Sequence, residues 1–130
     1  MKRILCILLI ISSSAFAQTS GPAIHSIMRT QVAPNADALF ALQGKKVITE
    51  EEWVDVLRRV SYLHAAAHKL KTINTMPEWQ SHVDAIDALS ERAVAQSLDR
   101  NLRGLSDTGN RMFDVCLSCH NQFFPKGKNL

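Results

Sequence analysis

The chain is poor in cysteine: three in 130 residues, at positions 6, 116 and 119. That excludes a disulfide-stapled scaffold. Charge of one sign is missing too, since 15 basic residues stand against 12 acidic ones. Such a balance gives no footprint for nucleic acid. Its one strongly apolar run, Ile4 to Ile11, is too short to cross a bilayer, and no second run is better, so no membrane span is expected. Period-two alternation of apolar and polar residues is lacking as well, which argues against strands. Internal repeats and low-complexity segments are absent.

What is present begins with an export signal. Lys2 and Arg3 precede the apolar run, and Ala15-Phe16-Ala17 offers a small-x-small cleavage site. Residues 1–17 therefore read as a signal peptide and 18–130 as one domain. Cys6 goes with the signal, and no lipobox precedes it. The remaining 13 basic and 12 acidic residues leave a net charge of +1, and both remaining cysteines lie near the C-terminus.

The rest of the chain reads as four helices. Pro22 suits a first turn, and Ile24, Ile27, Met28 and Val32 follow at helical spacing. Pro34 should kink this helix without ending it; Gly44-Lys45-Lys46 is its stop. Thr49 and Glu52 form a capping box, with Glu50 and Glu51 beside them. The second helix then runs to about Thr72 on a seam of Trp53, Val56, Val60, Leu63, Ala67 and Leu70. A third starts near Glu78, with Trp79, Val83, Ile86, Leu89 and Ala93 facing inward. The boundary with the fourth is placed around residues 95–98. Leu98, Leu102, Leu105, Gly109, Met112, Cys116, Cys119 and Phe123 follow at spacings of 4, 3, 4, 3, 4, 3 and 4, a heptad seam carrying both cysteines. Gly109 on that seam gives room to a neighbour or a ligand. The expected fold is all-α, an antiparallel four-helix bundle.

Cys116-Leu117-Ser118-Cys119-His120 has the C-x-x-C-H spacing of a c-type haem attachment site. Two thiols three residues apart reach the two vinyl groups of one porphyrin edge and become thioethers. The adjoining histidine then lies where it can bind the iron. Cys-x-x-Cys also occurs as a redox dithiol, a disulfide or half of a zinc site. Here no strand precedes it, no further ligand pair lies beside it, and a disulfide needs no histidine. Export agrees with haem, because covalent attachment in bacteria takes place outside the cytoplasmic membrane. The expectation is one covalent haem c, with its iron, near the end of the last helix.

In an up-down-up-down bundle that end also holds the start of helix one, the end of helix two and the start of helix three. His120 takes one axial position. Met28, Met76, His68 and His82 are the candidates for the other, with His25 one turn before Met28. Met112, on the haem's own helix, cannot cross to the far face. A methionine on a seam is also ordinary core filler. His64 reads as a hydrogen-bonded core histidine, and Trp53 and Trp79 as packing residues. Arg29, Lys69, Lys71, Lys126 and Lys128 gather at the same end. They read either as a docking rim for an acidic redox partner, with Arg29 toward a haem propionate, or as ordinary solvated surface.

The signal, the four helices and the C-terminal Cys116-x-x-Cys119-His120 together resemble the cytochrome c′ and cytochrome c-556 family, over essentially the whole mature chain. The stretch from Met28-Arg29 through Pro34 to Ala36-Asp37-Ala38-Leu39-Phe40 is similar to the first helix of c-556-like members. That resemblance implies Met28 as the second axial ligand. It also implies a buried haem and a homodimer packed through helices one and two. The tyrosine frequent after the haem histidine is replaced here by Phe123, which removes a hydroxyl. With His120 and Met28 both bound the expectation is a low-spin, one-electron periplasmic carrier, not an enzyme. If Met28 only packs, the expectation is a five-coordinate haem that binds nitric oxide or carbon monoxide. A third expectation is a subunit or maturation factor whose haem is structural.

Overall fold

The structure is a computed structural model that describes residues 20–124. The segment read as a signal, with Cys6, and the C-terminal Pro125, Lys126, Gly127 and Lys128 lie outside the described residues. Helices dominate, and no strand occurs among the described residues. They are α1 (Ser20–Ile27), a π-helical turn (Met28–Val32), α2 (Ala33–Phe40), α3 (Glu50–Ile73), α4 (Pro77–Leu98) and α5 (Leu102–Phe123). The first three segments join without a break, so four helical rods pack together. Each rod meets two neighbours. α3 lies between the first rod and α4, and α5 lies between α4 and α2.

The π turn has a local cause. Pro34 brings no N–H, and its ring would clash with the carbonyl of Thr30 in a regular helix. The wider turn relieves this, and the Ala33 N–H instead donates to the carbonyl of Met28. Side chains serve neighbouring carbonyls: the Thr30 hydroxyl donates to Ser26 O at 2.8 Å and the Asn35 amide to Gln31 O at 2.6 Å. The proline therefore adds a residue to the turn of the rod, but does not end it. Turns then carry the chain to Gly44, whose φ of 77° needs a residue without a side chain.

The capping box of α3 is formed as expected. Glu52 N–H donates to Thr49 Oγ1 at 3.2 Å, and Thr49 N–H donates to Glu52 Oε2 at 2.7 Å. Val56, Val60, Leu63, Ala67 and Leu70 are all buried, and Val83, Ile86 and Ala93 of α4 pack into the same core. Trp79 is buried with them, its indole N–H donating to Leu70 O at 3.2 Å, which ties the start of α4 to the end of α3.

The boundary between α4 and α5 falls later than the sequence pattern suggests. Leu98 is the last residue of α4 and is largely exposed, so it does not belong to the seam of α5. Arg100 takes a left-handed φ of 54°, which closes α4. The side chain of Asn101 then caps α5 by accepting from Gly104 N–H at 2.9 Å. Beyond this point the heptad holds: Leu105, Gly109, Met112 and Cys119 are buried, and Leu102, Cys116 and Phe123 are partly buried against the core.

Gly109 marks the closest approach of α5 to α2. A Cβ there would stand 3.1 Å from the carbonyl oxygen of Leu39 and 3.3 Å from its Cγ. The room it gives is taken by a neighbouring helix. Above it, Gln43 donates to Asn110 Oδ1 at 2.5 Å, and the rings of Phe40 and Phe113 meet edge to face at 5.6 Å. Replacing Gly109 with leucine should cost about 1–3 kcal/mol by overpacking, measured as a lower urea midpoint at unchanged slope. Thr49→Ala, which removes half of the capping box, should cost about 1 kcal/mol in the same assay.

Candidate cofactor site

Cys116, Cys119 and His120 occupy the last two turns of α5. The three-residue spacing puts both thiols on one side of the helix, and His120 follows about 100° further round. Cys119 faces the core and is buried; Cys116 is half-buried; His120 is exposed. Both thiols are free.

These residues form one wall of a hollow of about 260 Å³ between the first rod and α5. Phe113 and Leu117 complete that wall, Met28, Ala33, Ala36 and Phe40 form the opposite one, and Ile86 of α4 lies at the back. The hollow exists because the two rods diverge. α5 packs on α2, but no Cα of α1 or the π turn comes within 8 Å of it. A second hollow of about 900 Å³ continues outward past Met28, Ala33, Leu117 and His120, and adds Ile24, His25, Arg29 and Phe124. Among the residues lining the first hollow, Asp37 is the one carboxylate. An apolar cleft with few polar groups is the usual form of a small-molecule or cofactor site.

The thiols sit in surroundings that keep them protonated. Burial, and then the neighbouring Cys119, push the Cys116 thiol up to about 11, and burial pushes Cys119 upward as well. A reactive dithiol or a thiolate metal site calls for the opposite shift, as at a helix N-terminus. This pair lies instead at the C-terminal, negative end of α5.

Of the residues weighed as a second axial ligand, Met28 alone shares the first hollow with the cysteines and His120. His25 lines the outer one. Met76 is 40 % exposed at the start of α4, its N–H donating to Asn74 Oδ1 at 3.0 Å. His68 turns toward Asp87 on the joint of α3 and α4. His82 meets Gln122 Oε1 at 2.7 Å on the joint of α4 and α5. None of these three lines either hollow. His64 is half-buried rather than a core residue, with its Nδ1 3.0 Å from Asp87 Oδ1 and 3.3 Å from Ser90 Oγ.

Of the residues read as a basic rim, Lys71 is taken up by carboxylates, Asp87 at 2.6 Å and Asp84 at 3.0 Å, and Lys69 donates to Gln31 Oε1 at 2.9 Å. Arg29 is exposed and borders the outer hollow. Phe123 packs edge to face on Trp79 at 5.6 Å and lines neither hollow.

The aromatic wall went unread in the sequence. Phe113 and Leu117 are 51 % and 49 % exposed, a large apolar surface left open beside the cysteines. They lie off the heptad seam, three residues before Cys116 and one after it. An apolar stripe next to a seam that already faces the core is the signal that would have found them.

Comparison of the chain with protein families, with curated proteins and with solved structures finds no match.

The raised thiol of Cys116 makes a kinetic prediction for protein prepared without any group on it. A thiol at about 11 carries about 100-fold less thiolate at neutral pH than one at the ordinary value of 9.0, partly offset by the greater nucleophilicity of a more basic sulfur. Alkylation of Cys116 by iodoacetamide at pH 7 should run about tenfold slower than that of a free cysteine. The rate should keep rising with pH until near pH 11, where the thiolate fraction levels off.

Proposed function

We propose that the chain is a periplasmic monohaem c-type cytochrome of the cytochrome c′ and c-556 group, working as a one-electron carrier. The observation that carries the reading is that Cys116, Cys119 and His120 wall one side of an apolar hollow whose other side is Met28. The open faces of Phe113 and Leu117 are the kind of surface a flat apolar macrocycle covers.

In this reading Cys116 and Cys119 hold haem c by two thioether bonds. His120 would supply an imidazole nitrogen and Met28 its thioether sulfur to the iron. Arg29, at the border of the outer hollow, would supply a cation for a propionate. The bound haem supplies an iron couple that takes up and releases one electron, at a potential raised by a methionine ligand. The chain's own contribution is to fix both ligands on separate rods and to shield the site with Phe40, Phe113 and Ile86. No side chain is assigned bond-making chemistry, so the proposal is a carrier and not an enzyme.

The bundle is proposed to be antiparallel, up-down-up-down. Contacts support this by running in opposed order: His64 with Ser90 and Gln80 with Lys71 across α3 and α4, and Thr108 with Gln96 and His82 with Gln122 across α4 and α5. The periplasmic placement rests on the signal read in residues 1–17 and on where haem is attached. Among the described residues no helix is long and apolar enough to cross a membrane. Val54 and Tyr62 stand exposed on α3, where a homodimer through the first two rods would cover them. Redox proteins of the same compartment are the partners this function requires.

A second reading has its own support. The outer hollow reaches Met28 and His120 from the surface. If Met28 only packs, that path would admit nitric oxide or carbon monoxide to a five-coordinate iron.

The optical spectrum of the ferrous protein, with and without carbon monoxide, separates the two. Sharp low-spin bands that ignore carbon monoxide are expected. A broad high-spin spectrum that shifts on addition would replace Met28 as ligand and favour gas binding. Met28→Ala should open the iron while haem stays attached. Cys116→Ala with Cys119→Ala should abolish covalent haem in a pyridine haemochrome assay, and a haem-free native protein from a host able to attach haem would end the cytochrome reading.

A further inference from the structure

A second constellation lies on the joint of α3 and α4. His64 and His68 are four residues apart on α3, so both imidazoles stand on one face. Asp87 of α4 meets them there. Its Oδ1 is 3.0 Å from His64 Nδ1 and 3.5 Å from His68 Nε2, and one donor atom from each of the three residues falls within 4.8 Å of the others. None of the three lines the hollow at Cys116, so this constellation stands independently of the cytochrome reading.

The carboxylate is divided in its partners. Lys71 fixes Oδ2 at 2.6 Å and is itself braced by Asp84 at 3.0 Å. Oδ1 is buried, faces the two imidazoles, and makes no hydrogen bond, although His64 Nδ1 stands 3.0 Å away. A buried carboxylate oxygen without a partner is costly and calls for one. Two neutral imidazoles and a carboxylate are the donor set of zinc sites that keep one position open. Donors at 2.0–2.1 Å in a tetrahedron stand about 3.3 Å apart; the two imidazole-to-carboxylate separations, 3.0 and 3.5 Å, bracket that edge, and the third lies within 4.8 Å.

We infer that His64, His68 and Asp87 form a binding site for a borderline divalent cation of the zinc type, with its fourth position open to water. His64 binds through Nδ1, its proton moving to Nε2 and giving up the long 3.3 Å contact with Ser90 Oγ. His68 binds through Nε2 from the solvent side, where its side chain is 59 % exposed. Lys71 keeps its hold on Oδ2, so the carboxylate binds through one oxygen. The ion joins α3 to α4 across their packed face and stabilises both against separation.

Calorimetric titration of zinc sulfate into the full chain tests this. One equivalent should bind, and the thermal midpoint should rise with zinc concentration. His68→Ala should weaken that equivalent by roughly tenfold or more and remove the thermal shift, while circular dichroism stays unchanged because the side chain is exposed. His68→Gln is run beside it as a second variant of similar length. His82→Ala, on the neighbouring joint, should change nothing. Absence of binding up to millimolar zinc overturns the site. So does binding that survives both His68 variants, or that disappears only when Cys116 and Cys119 are alkylated.

Discussion

The first rod and α5 touch closely at one place and part at another, and the hollow results from that divergence. At Gly109 the missing side chain lets the backbone of α5 come against the carbonyl of Leu39. Any larger residue would hold the rods apart where they need to meet. From there toward the N-terminus of the first rod, α5 loses contact, and a cleft opens with Met28 on one bank and the Cys116 to His120 turn on the other. The core of α3 and α4, with Trp79 locked to Leu70, forms the fixed back of this frame. The exposed faces of Phe113 and Leu117 each forgo about 25 cal/mol per Å² of burial. An occupant that covers them therefore adds stability.

Two kinds of polar chemistry are kept apart. Around the cysteines the walls are apolar and the thiols are held neutral by burial. On the joint of α3 and α4, charge is concentrated instead, with Asp84, Asp87, Lys71 and two histidines in one chain of contacts. Ile86 and Asp87 are adjacent on α4, and one lines the hollow while the other faces the histidines. A single helix thus separates an apolar site from a polar one.

Much of this was legible in the sequence. The capping box at Thr49, the seam from Val56 to Leu70, the heptad from Leu102 to Phe123 and the continuation of the first helix through Pro34 all obey short-range rules of spacing and sterics. Met28 could be placed opposite the cysteines because helix lengths fix depth along a bundle. The α4–α5 boundary was harder, because Leu98 extends the heptad by coincidence. The left-handed Arg100 and the cap at Asn101 decide it through backbone geometry that periodicity does not carry. The directions of His68 and His82 depend on which partner each finds across a joint, Asp87 in one case and Gln122 in the other. Spacing along one helix is silent on that. Phe113 was missed because its surroundings are set by where two rods separate, a property of the assembled fold.

The π turn has one more consequence. By holding one residue more than a regular turn, it takes up that residue locally. Ile24 and Ala36, twelve residues apart, would stand about 120° apart on a regular helix, yet both are buried. The turn thus works as a slack link: it makes room for the ring of Pro34 and leaves the two halves of the first rod facing the same core. Met28, the first residue of that link, keeps its place on the bank opposite Cys116.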